Sequence, residues 1–165
     1  MPPIRIELLQ RMPIFGAIRQ DTVQFLLEQT RSVSMRAEEY FFREGEEASC
    51  LLVLESGRAA VFKSWQGREL MLRYLGVGDC FGEMALMDFF PRSASVRAVE
   101  DCTALELASS NLYRLYERDI EQFALIQMNM GREVCRRLRA SDELLFRAKM
   151  GDPAQDEEDT VFRAT

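Results

Sequence analysis

The sequence from residue 81 to residue 93 reads Phe-Gly-Glu-Met-Ala-Leu-Met-Asp-Phe-Phe-Pro-Arg-Ser. Gly82 has no Cβ and therefore lets the backbone approach a ligand closely. The apolar run that follows is long enough for one or two helical turns, and a helix N-terminus offers free N–H groups to a phosphate. Arg92 adds a planar fork of donors that matches two phosphate oxygens, and the Glu83 carboxylate accepts a hydrogen bond from a sugar hydroxyl. Together these groups describe a site for the sugar-phosphate part of a nucleotide.

The same stretch resembles the phosphate-binding cassette of the cyclic nucleotide-binding domain family. The family pattern is Phe-Gly-Glu, an apolar residue and Ala-Leu, then a spacer and Pro-Arg-(Ser/Thr)-Ala-(Thr/Ser)-Val, which this chain matches at residues 81–86 and 91–96. The resemblance extends over residues 8–145 and includes an entry segment at 12–15 and strand-turn signals at 44–46, 54–57 and 76–79. It implies a mainly β fold: a β-roll (a jelly-roll-like barrel) with N-terminal helices and a long C-terminal helix.

The resemblance also implies roles for the residues of the cassette. Arg92 pairs with the cyclic phosphate, and Glu83 accepts from the ribose 2′-hydroxyl. Backbone N–H groups near Ala85 and at Ala94 help to hold the phosphate, and Ser93 adds a hydroxyl. The remaining cassette positions assigned to ligand binding are Phe81, Gly82 and Met84.

The base of the nucleotide is harder to place. Met71, Arg73 and Leu75 alternate along one face of a predicted strand, where they either border the base or belong to the core and an exposed strand end. In family register, Arg137 and Ser141 of the last helix reach over the base. Ser93 is compatible with cyclic GMP without requiring it, and cyclic AMP is the favoured ligand.

Composition bounds the remaining function classes. The 165 residues carry a net charge of −6, which argues against a protein that wraps nucleic acid. The chain has no histidine, so histidine-dependent triads, general bases and metal or haem sites are excluded. No stretch reads as a membrane span or a signal peptide, and the four cysteines form no Cys-x-x-Cys pair. We therefore expect a cytoplasmic protein with free thiols, no metal, no cofactor and no catalytic residue.

Hydrophobic periodicity divides the chain into four parts. Residues 1–30 read as two short helices with a bend, and residues 31–108 as a β-roll. The strands are expected at 51–54, 59–62, 70–75, 96–99 and 104–107, with a hairpin turn at 65–67. Residues 109–150 read as helices, the last from about 119 to 149 with a stop at Gly151. Residues 151–165 read as a disordered acidic tail.

The last helix carries a stripe along one face, formed by Ile126, Met130, Val134, Leu138, Ser141 and Leu145. The stripe either packs on the chain's own β-roll or pairs with a second copy in a parallel homodimer, which we favour. In that dimer, Asp142 lies within reach of the partner subunit.

The sequence departs from the family pattern at two points. Glu38 stands where a glycine usually opens the first strand turn. The sequence also ends soon after the long helix, which leaves no room for the helix-turn-helix of the family's bacterial transcription factors. The sequence thus predicts a cyclic nucleotide sensor that is not an enzyme, does not bind specific DNA, and acts through an unknown effector protein or a dimer change. The alternatives are a sensor of another small anionic metabolite with the same fold, or the remnant of a DNA-binding regulator.

Overall fold

The structure is a computed structural model that describes residues 3–151, and the predicted acidic tail lies outside these residues apart from Gly151. Two short helices come first, α1 (Pro3–Gln10) and α2 (Gln20–Leu27), joined through a 3₁₀ turn at Pro13–Phe15. Six strands follow: β1 (Arg31–Met35), β2 (Tyr40–Phe42), β3 (Cys50–Ser56), β4 (Ala59–Trp65), β5 (Arg68–Leu75) and β6 (Cys80–Phe81). The chain then forms α3 (Met84–Asp88), β7 (Ser95–Ala98), β8 (Cys102–Ala108), α4 (Ser109–Arg118) and α5 (Ile120–Met150).

The strands form two antiparallel four-stranded sheets, with the orders β1-β8-β3-β6 and β2-β7-β4-β5. One group of buried side chains fills the space between the sheets, and a second lies between the first sheet and the helices. Strand β3 serves both groups, because Leu52 and Leu54 face the other sheet while Leu51 and Val53 face the helices. A strand buried on both faces reads as a continuous apolar run, which explains the sequence at 51–54. The predicted β-roll is confirmed.

The sequence named five strands, and the described residues contain eight. The missed strands are β1, which is polar and largely exposed at a sheet edge, and β2 and β6, which have three and two residues. Neither kind carries enough apolar periodicity to be read from sequence. Each named stretch lies in a strand, although Val99 falls one residue beyond β7.

The predicted helices match the structure closely. Helix α5 begins after Asp119, whose side chain accepts a hydrogen bond from the Gln122 N–H at 3.1 Å, a standard N-cap. It ends at Gly151, which has the left-handed conformation (φ +76°) expected of a C-terminal cap. No helix within the described part of the chain is long and apolar enough to cross a membrane.

Candidate functional site

Gly82 fixes the shape of the candidate site. It lies between β6 and α3 with φ +80°, a conformation that favours glycine. A Cβ at this position would collide with the guanidinium of Arg92 and would lie 3.2 Å from the ring of Phe42. The absent side chain therefore lets Arg92 pack directly against the backbone of the cassette.

Arg92 is buried, and its guanidinium donates to neutral acceptors. One terminal nitrogen donates to the Gly82 carbonyl at 2.8 Å, and the other donates to the Cys50 carbonyl at 2.8 Å and lies 3.4 Å from the Cys50 sulfur. The guanidinium carbon lies 4.0 Å from the centre of the Phe42 ring, and the buried Nε has no hydrogen-bond partner among residues 3–151. No carboxylate within the described chain forms an ion pair with Arg92, so the site holds a buried cation without a counter-ion.

Glu83 follows Gly82, whose carbonyl accepts from Arg92, and is buried with 1% of its surface exposed. It precedes the first residue of α3, and its two carboxylate oxygens differ in their surroundings. Oε1 accepts a hydrogen bond from Arg137 of α5, whereas Oε2 is buried and receives no donor from the residues that the structure describes. Burying a carboxylate oxygen without a donor costs free energy, so a polar ligand hydrogen would stabilise this atom.

Arg137 connects α5 to the cassette. Its guanidinium donates to Glu83 and to the Cys80 carbonyl, and its Nε lies 3.4 Å from Oε1 of Glu133. Burial is the largest single influence and lowers the pKa of Arg137, but Glu83, Cys80 and Glu133 together raise it by more, so the net pKa is raised and the side chain stays charged. The structure thus places Arg137 on the carboxylate of Glu83, a contact that the sequence did not predict.

The other cassette residues lie around these three charged groups. Phe81 is buried and packs edge-on against Phe41, with ring centres 5.2 Å apart. Ala85 is buried, Ala94 is half-buried and Met84 is exposed. Ser93 is exposed, and its hydroxyl lies 4.0 Å from the sulfur of Met84.

The three candidates on β5 differ in their placement. Leu75 is fully buried in the core between the sheets, so it has no free surface for a base. Met71 is exposed. Arg73 is half-buried, and its pKa is lowered by burial and then by the charge of Arg137, with Glu83 among the carboxylates that partly offset both effects. The charge of Arg137 thus acts on Arg73, whereas Ser141 lies exposed farther along α5.

Sequence reasoning missed Cys50 and Phe42 as the neighbours of Arg92. Both are more than 40 residues away in the chain, and neither stands in a motif that points to the cassette. The neighbouring Glu133 offers a weak signal, because its spacing of four residues from Arg137 allows an ion pair on one helix face. The buried thiol of Cys80 lies near the same charges, and burial followed by the charge of Glu83 raises its pKa well above the ordinary value.

Comparisons with known proteins bear on this arrangement. The family model described as "Cyclic nucleotide-binding domain" matches residues 32–119. The cyclic AMP receptor protein of Thermus thermophilus is 31% identical over 131 residues, which make up 79% of this chain and 59% of that protein. The cAMP-dependent protein kinase regulatory subunit of Emericella nidulans is 31% identical over 107 residues, 65% of this chain and 26% of the subunit.

A crystal structure of the Thermus thermophilus catabolite activator protein superimposes on this chain with a TM-score of 0.72. The two chains are 30% identical, and the match covers 83% of this chain and 63% of that one. The chain thus spans less than two thirds of the length of the relatives it matches here.

Proposed function

Because the chain belongs to the cyclic nucleotide-binding domain family, we propose that it is a sensor that binds cyclic AMP, in preference to cyclic GMP, at residues 81–94. One observation carries this proposal. Arg92, which donates to Gly82, is a buried cation without a counter-ion in the described chain, and the buried Oε2 of the next residue, Glu83, has no donor there. A ribose 3′,5′-cyclic phosphate supplies a negative charge for the guanidinium of Arg92 and a hydroxyl donor for Oε2 of Glu83 in one rigid group.

The phosphate is expected to bind Arg92. The guanidinium now donates to two neutral carbonyls, and a phosphate would add an opposite charge and two oxygens that match the planar fork of donors. The backbone N–H groups at the start of α3 and the hydroxyl of Ser93 supply further donors to the phosphate. The net charge of −6 does not attract an anion, so this local arrangement must provide the attraction.

The ribose 2′-hydroxyl is expected to donate to Oε2 of Glu83. The carboxylate stays in place because Arg137 holds its other oxygen. In this arrangement the role of Arg137 is to position Glu83 for the ribose, and not to reach over the base. Ligand occupancy and the position of α5 are then linked through one shared carboxylate.

The base preference rests on the relatives. The Thermus protein is a cyclic AMP receptor and the Emericella protein belongs to a cAMP-dependent kinase, and both resemble this chain over the cassette. The proposed neighbours of the base are Met71, Arg73 and Ser141, of which Arg73 is charged. Ser93 is compatible with cyclic GMP without requiring it, so it does not alter this preference.

We expect the signal of ligand binding to be transmitted through α5 to an effector protein, without a catalytic step. Along α5, the exposed apolar residues Leu138 and Leu145 lie seven residues apart, which is one heptad. This spacing is typical of the seam of a parallel coiled coil. We therefore propose a homodimer through residues 119–149, without specific DNA binding, in the cytoplasm.

Isothermal titration calorimetry with cyclic AMP, cyclic GMP and 5′-AMP tests the proposed ligand. Cyclic AMP should bind most tightly, and 5′-AMP should bind least because its open phosphate cannot place phosphate and 2′-hydroxyl together in the same way. Equal affinity for cyclic AMP and 5′-AMP would contradict a site built for the cyclic phosphate. Heat released by another anionic metabolite, but by neither cyclic nucleotide, would favour a different sensor of the same fold.

A further inference from the structure

The tip of the cassette exposes four large apolar side chains within residues 84–90 of the sequence. Phe89 and Phe90 are 90% and 69% exposed, and Met84 and Met87 of α3 are each about 40% exposed. None of these side chains contributes to the buried core groups of the described chain. Clustered exposed apolar residues of this kind mark interaction surfaces. We call Met84, Met87, Phe89 and Phe90 the cassette tip.

The backbone at the cassette tip is strained. Phe89 ends α3 in the left-handed conformation, with φ +59°. Glycine is the usual residue at such a helix end, and a bulky side chain there is a genuine outlier. The strained residue is also the most exposed large apolar side chain in the described structure. Stability alone would favour glycine at this position, so the phenyl ring is better explained by a contact outside the chain.

Carboxylates border the cassette tip. Asp88 is exposed within it, and the exposed Glu46 and Glu47 belong to a segment that pairs with the backbone of Arg92. The Arg92 N–H donates to the Glu46 carbonyl at 2.9 Å, and the Gly45 N–H donates to the Arg92 carbonyl at 2.8 Å. No side-chain ion pair of Asp88, Glu46 or Glu47 is present among the described residues. These three carboxylates lie on the segments that carry the tip or pair with it, and we call them the acidic rim.

We propose that the cassette tip docks a basic amphipathic helix of an effector protein. Phenylalanine and methionine side chains adapt to the apolar face of a helix, and the acidic rim pairs with lysine or arginine on its flanks. Two copies of the tip facing each other would bring their acidic rims together, and an anionic membrane would be repelled by the same charges. The inference rests on the proposed sensor function, because it names the partner surface that such a sensor needs.

The test uses the full chain and a synthetic 18-residue helical peptide of leucine and lysine, with a leucine–glutamate peptide of the same pattern as its control. Fluorescence anisotropy at physiological salt should show that the lysine peptide binds and the glutamate peptide does not. Phe90→Ser and Phe89→Gly should each lower the affinity for the lysine peptide by at least about tenfold, since central aromatic anchors dominate such interfaces. Glu46→Lys combined with Glu47→Lys should weaken it as well, whereas Tyr113→Ser, an exposed aromatic on α4, should not.

Several results would overturn the proposal. Equal peptide affinity for wild type and Phe90→Ser would remove the cassette tip from the contact, as would equal binding of the two peptides. Self-association that sedimentation detects in wild type but not in Phe90→Ser would assign the tip to a second copy. Phe90-dependent binding to phosphatidylcholine–phosphatidylserine vesicles would assign it to a membrane. Cyclic AMP affinity measured by calorimetry on the same samples keeps a failure of ligand binding distinct from a failure of peptide binding.

Discussion

At the scale of single residues, Glu83 and the ribose 2′-hydroxyl can be tested as a pair. A thermodynamic cycle compares the affinities of wild type and Glu83→Ala, each measured with cyclic AMP and with its 2′-deoxy analogue. Removing either partner should cost about 1.5–3 kcal/mol, the range for a hydrogen bond to a charged group. Removing both should cost little more than removing one, so the coupling energy should be large.

The same cycle separates the ribose contact from a purely structural role of Glu83. If Glu83 only anchors Arg137 and shapes the start of α3, both ligands lose the same affinity on mutation. A coupling energy near zero would then contradict the contact, even with Arg92 essential for binding. Arg137→Ala offers a second view, because it leaves the carboxylate present but no longer held in place, and should therefore reduce the coupling.

Glu38 stands where the family usually has glycine, and the structure gives it φ +70°. A non-glycine residue in this region costs about 1–2 kcal/mol. We expect Glu38→Gly to recover part of this cost, less the larger chain entropy of an unfolded glycine, and to raise the melting temperature by about 2–4 °C. The matched control is Glu46→Gly, an exposed glutamate with an ordinary φ, which should lower the melting temperature. A lower melting temperature for Glu38→Gly would show that its side-chain contacts outweigh the backbone strain.

At the scale of elements, the N-cap of α5 makes folding stability depend on pH. The pKa of Asp119 is lowered, first by the hydrogen bond from the Gln122 N–H and also by Arg19. A carboxyl whose pKa is lower in the folded state stabilises the fold above its unfolded pKa, and this stabilisation is lost as the pH falls through the folded pKa. Asp119→Asn keeps a capping side chain without the titration. Thermal melts from pH 6 to pH 3 should therefore show a smaller loss for Asp119→Asn than for wild type, and parallel curves would contradict the assignment.

Helix α5 shows what periodicity can and cannot predict. The stripe predicted from sequence divides in two in the structure: Ile126 and Met130 are buried in the core, whereas Leu138 and Leu145 are exposed. Packing on the chain's own core thus applies to the first half of the stripe, whereas pairing of the exposed half with a second copy stays a prediction. Spacing identifies an apolar face, but it does not specify what covers that face.

The exposed half of α5 leads to a prediction about assembly. In the proposed homodimer, Leu138 lies in the seam, so Leu138→Arg places two unpartnered charges there and should yield a monomer. Val77→Arg, at a residue of similar exposure outside the helix, should leave the dimer intact. Light scattering at tens of micromolar, with and without cyclic AMP, measures both variants. A wild type that is monomeric under both conditions would exclude a stable dimer.

The candidate site could be predicted from sequence only in part. The cassette is a local motif, so the sequence located Gly82, Glu83 and Arg92 together. The contact of Arg137 with Glu83 joins residues 54 positions apart and depends on how α5 crosses the β-roll, which no local pattern encodes. For Leu75 the sequence left two alternatives open, the border of the base or the core, and the structure places its side chain in the core between the sheets.

At the scale of the whole molecule, the described residues leave a buried cation without a counter-ion and a buried carboxylate oxygen without a donor. Burial of such groups destabilises the ligand-free protein, and a ligand that satisfies both should stabilise it. Part of the free energy lost by burying these groups is therefore regained when the ligand binds. Stability measured with and without ligand therefore reports directly on the central claim that this site holds a cyclic nucleotide.

The most direct measurement is the thermal melt of wild type and Arg92→Ala, each with increasing cyclic AMP. A ligand that binds only the folded state adds about 2.7 kcal/mol at a hundred times its dissociation constant. The melting temperature of wild type should then rise by about 5–10 °C, while Arg92→Ala should need far more ligand for the same shift. An unchanged melting temperature of wild type with millimolar cyclic AMP or cyclic GMP would contradict the account, as would equal shifts in wild type and Arg92→Ala.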